Sequence, residues 1–155
     1  MTAILVLDQS AIKLAKIIKG TVANARIYGL VNRVKGADEN FRETVSQLQS
    51  LYQSGESIIG LCATGILVRA LAPVLKDKKN EPAVLAVAVD GSVVVPLLGG
   101  HNGANSLASQ IAKAIDGIEA ITTASDIRFG VAIDDPPKGW KILNRNAAKD
   151  ISSRM

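Results

Sequence analysis

The chain has 155 residues, the length of one domain of ordinary size with room for a short appended segment. Its composition is 48% hydrophobic but only 3% aromatic with a single cysteine, which predicts an aliphatic core and excludes a disulfide framework. The formal net charge of +4 is not gathered into a basic stripe interleaved with aromatic residues, so a small anion is favoured over nucleic acid as the ligand.

The first half of the chain alternates between strand and helix patterns. Apolar runs predict buried strands at residues 3–7, 25–31 and 57–61. Two amphipathic helices are predicted between them, the first ending at Gly20 and the second running from Phe41 to Tyr52. A third helix follows Gly65 and should bend or end at Pro73, because proline lacks a backbone donor.

In the second half of the chain the spacing of apolar residues changes from a helical to a strand pattern. Two apolar runs, Ala83 to Val89 and Val93 to Leu98, are joined by Asp90-Gly91, a strong hairpin signal. A glycine-rich turn, a helix ending near Gly117 and a last strand over 119–122 follow. This order predicts an α/β fold, a three-layer sandwich with a mostly parallel mixed sheet that contains one hairpin.

A composition change divides the chain near its end. Residues 134–140 (DDPPKGW) are typical of a linker, and residues 144–154 are polar with few apolar side chains to dock. We therefore expect an α/β domain over residues 1–133, and a linker with the start of a truncated second unit over 134–155.

Two glycine-rich turns are candidates for ligand binding. Residues 60–65 lead from a strand into a helix whose free N–H groups favour an anion, and residues 97–105 place three glycines around the only histidine. Ligands of open α/β sheets sit at the carboxyl ends of strands. Neither turn has a phosphate-binding fingerprint, which disfavours a nucleotide-binding regulator.

Each candidate also has a purely structural interpretation. Glycine-rich turns occur for geometric reasons alone, and His101 is equally interpretable as a capping or solvent-facing residue. Cys62 is more often a small buried residue than a reactive thiol, and Asp126 is most simply a cap. Arg69 and Lys78 are ordinary surface charges unless a carboxylate-rich ligand lies nearby.

A series of short segments, in order and at consistent spacing over about residues 57–126, resembles the N-terminal part of the CbiG family, the cobalt-precorrin-5A hydrolases of anaerobic cobalamin biosynthesis. The matching segments are 65–73 (GILVRALAP), 76–78 (KDK), 81–84 (EPAV), 89–91 (VDG), 96–98 (PLL), 100–101 (GH), 103–105 (GAN) and 121–126 (ITTASD). Residues 134–140 resemble the linker into the family's middle segment.

The resemblance implies a reaction and a set of residues. Family members open the lactone of cobalt-precorrin-5A with water and release acetaldehyde during corrin ring contraction, which requires an oxyanion stabiliser and a proton shuttle. It implies His101 as general acid/base and Asp126 as the group that orients it or a water. The implied substrate-binding residues are Thr64, Gly65, Arg69, Lys78, Gly100, Gly103 and Asn105. The cobalt belongs to the substrate, so neither a cofactor nor a protein metal site is expected.

The resemblance also has departures and implied partners. Gly99 stands where related sequences tend to carry serine, and Asn102 replaces an apolar residue. The family enzyme has a further C-terminal domain, and similar segments resemble parts of fusions with precorrin-3B methyltransferase. We expect an anionic tetrapyrrole ligand, with that C-terminal domain or the fused methyltransferase as partner. The alternative is a non-catalytic tetrapyrrole-binding or scaffold domain.

The termini and apolar runs indicate the compartment. Residues 1–8 lack the basic start and apolar length of a signal peptide, and no apolar run is long enough to cross a bilayer. One cysteine fits a reducing compartment. The sequence therefore predicts a cytoplasmic protein with no membrane partner.

Overall fold

The computed structural model describes residues 1–78, 80–122, 139, 141, 143 and 144, with only the backbone of His101. The strands are β1 (Thr2–Val6), β2 (Ala25–Leu30), β3 (Glu39–Phe41), β4 (Ser57–Leu61), β5 (Val84–Val87), β6 (Val93–Leu98) and β7 (Ile118–Glu119). The helices are α1 (Ile12–Thr21), α2 (Thr44–Gln53), α3 (Thr64–Leu71) and α4 (Ala104–Ile115). No helix within these residues is long and apolar enough to span a bilayer.

The described strands form one sheet in the order β3-β2-β1-β4-β5-β6-β7. Strands β1 to β5 are parallel to one another, whereas β6 pairs antiparallel with β5 and β7 pairs parallel with β6. The last two strands therefore run against the first five. The predicted mixed sheet with one hairpin is confirmed, and the hairpin is β5–β6.

Strand β1 lies in the interior of the sheet, between β2 and β4, and is covered on both faces. Its residues from Ala3 to Val6 are fully buried. Ile4 and Val6 pack in a core with α1 and α4, whereas Ala3 and Leu5 pack in a second core with α2 and α3. A continuous aliphatic run is the pattern of a parallel strand buried on both faces, and the three-layer prediction is confirmed.

Several element bounds differ from the sequence prediction. Helix α2 begins at Thr44, where the Glu43 side chain accepts a hydrogen bond from the Ser46 N–H at 3.0 Å. Phe41, predicted as helical, is buried in the short edge strand β3, which the sequence reading missed. Helix α3 ends before Pro73, as predicted, and the chain continues into a 3₁₀ turn.

The last strand covers Ile118–Glu119 rather than 119–122. The predicted boundary between residues 133 and 134 lies outside the described residues and stays a prediction.

Asp38, just before β3, connects helix α1 to strand β2. Its Oδ2 accepts the Ile27 N–H at 2.7 Å, and its Oδ1 accepts from Lys19 Nζ at 2.6 Å. The backbone bond from Ile27 first, and then the bond from Lys19, lower the pKa of the Asp38 carboxyl. The ionised form of Asp38 is thus favoured by the folded state.

This arrangement predicts a pH dependence of stability. The pKa of Asp38 is lower in the folded chain than in the unfolded chain, so its contribution is present above the unfolded value of about 3.9 and is lost as the pH falls through the folded pKa. We expect the free energy of unfolding of wild type to fall more steeply than that of Asp38→Asn below about pH 4, measured by urea denaturation. Asp116→Asn, at the exposed end of α4, is the matched control. Equal slopes for wild type and Asp38→Asn would contradict the role of Asp38.

Candidate functional site

The two glycine-rich turns lie at opposite edges of the sheet. Thr64 and Gly65 follow the end of β4 at the carboxyl edge, the edge where strands β1 to β5 end. Because β6 is antiparallel, its last residue Leu98 pairs with Val84, the first residue of β5. The turn after Leu98 therefore lies at the amino edge, where β1 to β5 begin. The carboxyl edge and the amino edge are about 10 Å apart along the strand direction.

At the carboxyl edge, Thr64, Gly65 and Arg69 lie together at the start of α3. Arg69 Nη1 donates to the Gly65 carbonyl at 3.1 Å, so the guanidinium folds back over the first turn of its own helix. The N-cap residue of α3 is Ala63, whose side chain makes no capping hydrogen bond. These three predicted residues form one group, but the histidine and its glycines are not part of it.

Cys62 precedes this group and is buried. Burial raises the pKa of the Cys62 thiol to about 11, so the thiol is protonated at neutral pH. Thiolate is the reactive form of cysteine. The geometry fits the interpretation of Cys62 as a small core residue.

At the amino edge, residues 99–103 form a compact turn that we call the histidine turn. Gly99 and Gly103 bound it in the left-handed region, with φ of 74° and 86°. The Gly99 carbonyl accepts N–H bonds from Asn102 at 2.8 Å and Ala104 at 3.1 Å. The backbone of His101 lies in the 3₁₀ turn between them.

Glu81 holds this turn through two groups. Its Oε1 accepts the Gly99 N–H at 3.0 Å, and its backbone carbonyl accepts from Asn102 Nδ2 at 2.7 Å. Asn102, which departs from the family pattern, thus has a structural partner here. Glu81 belongs to the matching segment 81–84 (EPAV) but was not among the predicted site residues, because nothing in that segment indicates a bond to the distant turn.

Gly99 is packed directly against the backbone before β5. An added Cβ at Gly99 would lie 2.6 Å from the Pro82 carbonyl oxygen and 2.7 Å from Ala83 Cα. At this position, where the sequence departs from the family's serine, glycine permits both the left-handed backbone and the close approach.

The structure places the remaining predicted residues as follows. Gly100, Gly103 and Asn105 are at the amino edge, with Asn105 buried in the first turn of α4, and exposed Lys78 lies in the loop leading to β5. Asp126 and the imidazole of His101 lie outside the described part of the chain. The last described residues before Asp126 follow β7, which runs towards the amino edge.

A cavity of about 290 Å³ opens at the amino edge next to Glu81. Its wall includes Tyr52, Lys76, Asp77, Asn80 and Glu81. Asn80 Nδ2 donates to Asp77 Oδ2 at 2.7 Å, and burial, followed by the charge of Glu81, raises the pKa of Tyr52. Among the described residues, no group of three or more His, Cys, Asp or Glu is placed to hold a metal ion.

The sequence of this chain matches a known protein family. The family described as Cobalamin synthesis G N-terminal matches residues 46–126, more than half of the chain. The chain belongs to this family. The match includes both turns and Glu81, and it confirms the resemblance found in the sequence.

The chain is also similar to part of two longer curated proteins. A cobalt-precorrin-5A hydrolase from Priestia megaterium is 31% identical over 139 residues, which cover 85% of this chain and 37% of that protein. One from Salmonella typhimurium is 39% identical over 98 residues, which cover 63% of this chain and 27% of that protein. The chain thus matches roughly a third of the length of these curated relatives.

A solved structure shares the fold. A Sulfolobus solfataricus protein, described as a cobalamin biosynthesis protein G homolog, matches with a TM-score of 0.60 and 20% sequence identity. The match covers 98% of this chain and 44% of that one.

Three glycines of the histidine turn should differ in their tolerance of alanine. Gly99→Ala combines a positive φ with a backbone collision and should cost on the order of 3 kcal/mol in unfolding free energy. Gly103→Ala meets no neighbour but has a positive φ, so about 1 kcal/mol is expected. Gly100→Ala has neither problem and should be nearly neutral. Denaturant unfolding measures all three, and equal costs at Gly99 and Gly100 would contradict the docking of Gly99.

The buried thiol gives a second prediction. Iodoacetamide at pH 7.5 should alkylate Cys62 in the native chain about 100-fold more slowly than in the urea-unfolded chain, because burial blocks access and suppresses the thiolate. Mass spectrometry follows the reaction at this single cysteine, with Cys62→Ser as the blank. Native labelling as fast as unfolded labelling would show an accessible, reactive thiol instead.

Proposed function

We propose that this chain is the N-terminal part of a cobalt-precorrin-5A hydrolase that acts in cobalamin biosynthesis, and that its amino edge forms part of the tetrapyrrole site. Family membership and the names of the curated relatives support the pathway and the substrate. The observation that carries the position of the site is the histidine turn, which Glu81 and Asn102 fix beside the cavity.

The chemistry of the proposed reaction fits the groups at this edge. Opening a lactone with water develops negative charge on oxygen, and releasing acetaldehyde requires proton transfer. His101 is the only histidine, and an imidazole is the side chain that ordinarily titrates near neutral pH. In this proposal the backbone N–H groups of Gly100 and Gly103 stabilise the oxyanion, since the Asn102 N–H is already donated to the Gly99 carbonyl. Cobalt enters as part of the substrate, so the proposal needs no resident cofactor.

The carboxylate arms of an anionic tetrapyrrole would meet positive charge at the same edge. Lys76 lines the cavity and Lys78 is exposed two residues further on. Helix α4 follows the histidine turn, its N-cap residue Gly103 has no side chain to cap it, and a helix N-terminus favours negative charge. Arg69 lies at the opposite edge, so in this proposal it does not contact a substrate bound at the histidine turn.

The curated relatives extend well beyond the part that matches this chain. Because the chain corresponds to 37% of the Priestia megaterium protein, we propose that the rest of a protein of that kind, a C-terminal domain, completes the active site. The proposed compartment is the cytoplasm. A non-catalytic tetrapyrrole-binding role, including one fused to a methyltransferase, is an outcome of the test below.

The test is an anaerobic titration of the chain with cobalt-precorrin-5A, with and without the C-terminal part of a longer relative, following binding and acetaldehyde release. Lys78→Gln should weaken binding about threefold to tenfold, because it removes one exposed charge–charge contact. Lys113→Gln, an exposed lysine near the end of α4 at the carboxyl edge, is the matched control and should bind like wild type. Arg69→Gln tests the carboxyl edge.

Each result has a distinct meaning. Binding that Lys78→Gln weakens, with acetaldehyde released only when both parts are present, supports the proposal. Weakening by Arg69→Gln alone would move the site to the carboxyl edge. Binding without acetaldehyde in any combination would favour the non-catalytic role, and no binding would contradict the site.

A further inference from the structure

Glu81 lies where the loop before β5 meets the histidine turn, 18 residues away along the chain. The side chain is half-buried, and it contacts the turn at its first residue through the Gly99 N–H at 3.0 Å. Its backbone carbonyl contacts the turn at the far side of His101, through Asn102 Nδ2 at 2.7 Å. The two bonds thus bracket the backbone of His101.

Close packing restricts the position of the histidine turn. Gly99 sits against the carbonyl of Pro82 and Cα of Ala83, the two residues that follow Glu81. The Gly99 carbonyl in turn accepts the N–H groups of Asn102 and Ala104. A shift of Glu81 would therefore be passed to the backbone at 99 and 102, on both sides of the histidine.

We propose that Glu81 is a positioning residue, which fixes the histidine turn so that His101 is presented to the substrate. This inference rests on the proposed function, since it assumes that His101 carries a proton in the reaction. Glu81 acts through hydrogen bonds to the turn. Glu81 is also one of the residues that line the cavity, with Lys76 and Asp77, and its charge acts on Tyr52. A direct role of the carboxylate at the substrate is therefore the alternative that the test must separate.

The first experiment tests the geometry without any substrate. In the ¹H–¹⁵N spectrum of the full chain, Glu81→Ala should shift the amides of Gly99, His101 and Asn102 and speed hydrogen exchange at Gly99 by about tenfold. Glu81→Gln keeps an acceptor oxygen and should stay close to wild type. Glu119→Ala, an exposed carboxylate on β7, is the matched control and should leave these three amides unchanged.

The second experiment tests the function by a double-mutant cycle of Glu81→Ala and His101→Ala. Acetaldehyde release from cobalt-precorrin-5A is measured with the C-terminal part of a longer relative present. Glu81→Ala should lower kcat about tenfold with KM within about twofold, and Glu81→Gln should restore most of the rate. In the His101→Ala background, Glu81→Ala should have no further effect on kcat, because it has no histidine left to position.

The outcomes separate this inference from the proposed function. Additive losses in the cycle, or a Glu81→Gln variant as slow as Glu81→Ala, would overturn positioning in favour of a direct role of the carboxylate. An unchanged Gly99 amide in Glu81→Ala would overturn it on geometry alone. Wild-type turnover by His101→Ala would remove the proposed role of the histidine, while the amide measurements would still report whether Glu81 holds the turn.

Discussion

The reversal of the chain at Asp90-Gly91-Ser92 determines where β6, the histidine turn and α4 lie. Asp90 Oδ1 accepts from the Ser92 N–H at 3.0 Å and from the Ser92 hydroxyl at 2.7 Å, and Gly91 takes a φ of 79°. The backbone bond first, and then the hydroxyl bond, lower the pKa of Asp90. This turn sends β6 back against β5 instead of through a crossover helix. The histidine turn consequently meets Glu81 at the amino edge; a parallel β6 would have carried it to the carboxyl edge beside Thr64.

The sequence predicted those elements whose signal is local. The aliphatic run of β1 indicated burial on both faces, Asp90-Gly91 indicated the hairpin, and Pro73 indicated the end of α3. Strand β3 could not be predicted in this way, because its formation depends on distant partners. Its Glu39 is paired with Tyr28 in the ladder and bonded to Arg26 Nη1 at 2.6 Å, and neither contact is visible in the polar stretch that precedes Phe41.

The candidate site was predictable to a similar degree. The glycines clustered around His101 identified the histidine turn from the sequence. The role of each glycine, however, became visible only in the folded structure. Gly99 is needed because Pro82 and Ala83 close on it from another part of the chain, whereas Gly100 faces open space. The segment 81–84 (EPAV) was recognised, but the role of Glu81 was not, because it depends on a hydrogen bond to Gly99 that only the antiparallel β6 makes possible. The same strand direction separates Thr64 and Gly65 from the histidine, although sequence reasoning had grouped them.

The proposed site at the amino edge would be unusual for an α/β sheet, and the direction of β6 supplies a physical reason for it. In a parallel sheet the helix N-termini, with their free N–H groups, gather at the carboxyl edge, and anionic ligands follow them. Helix α4 is an exception, because it follows an antiparallel strand and begins at the amino edge directly after Gly103. Its N-terminus, the histidine turn and the lysines at 76 and 78 therefore share one edge. If a further domain completes the proposed active site, that domain must approach the amino edge. The helices on the two faces, α1 and α4 on one and α2 and α3 on the other, then serve to cover the sheet.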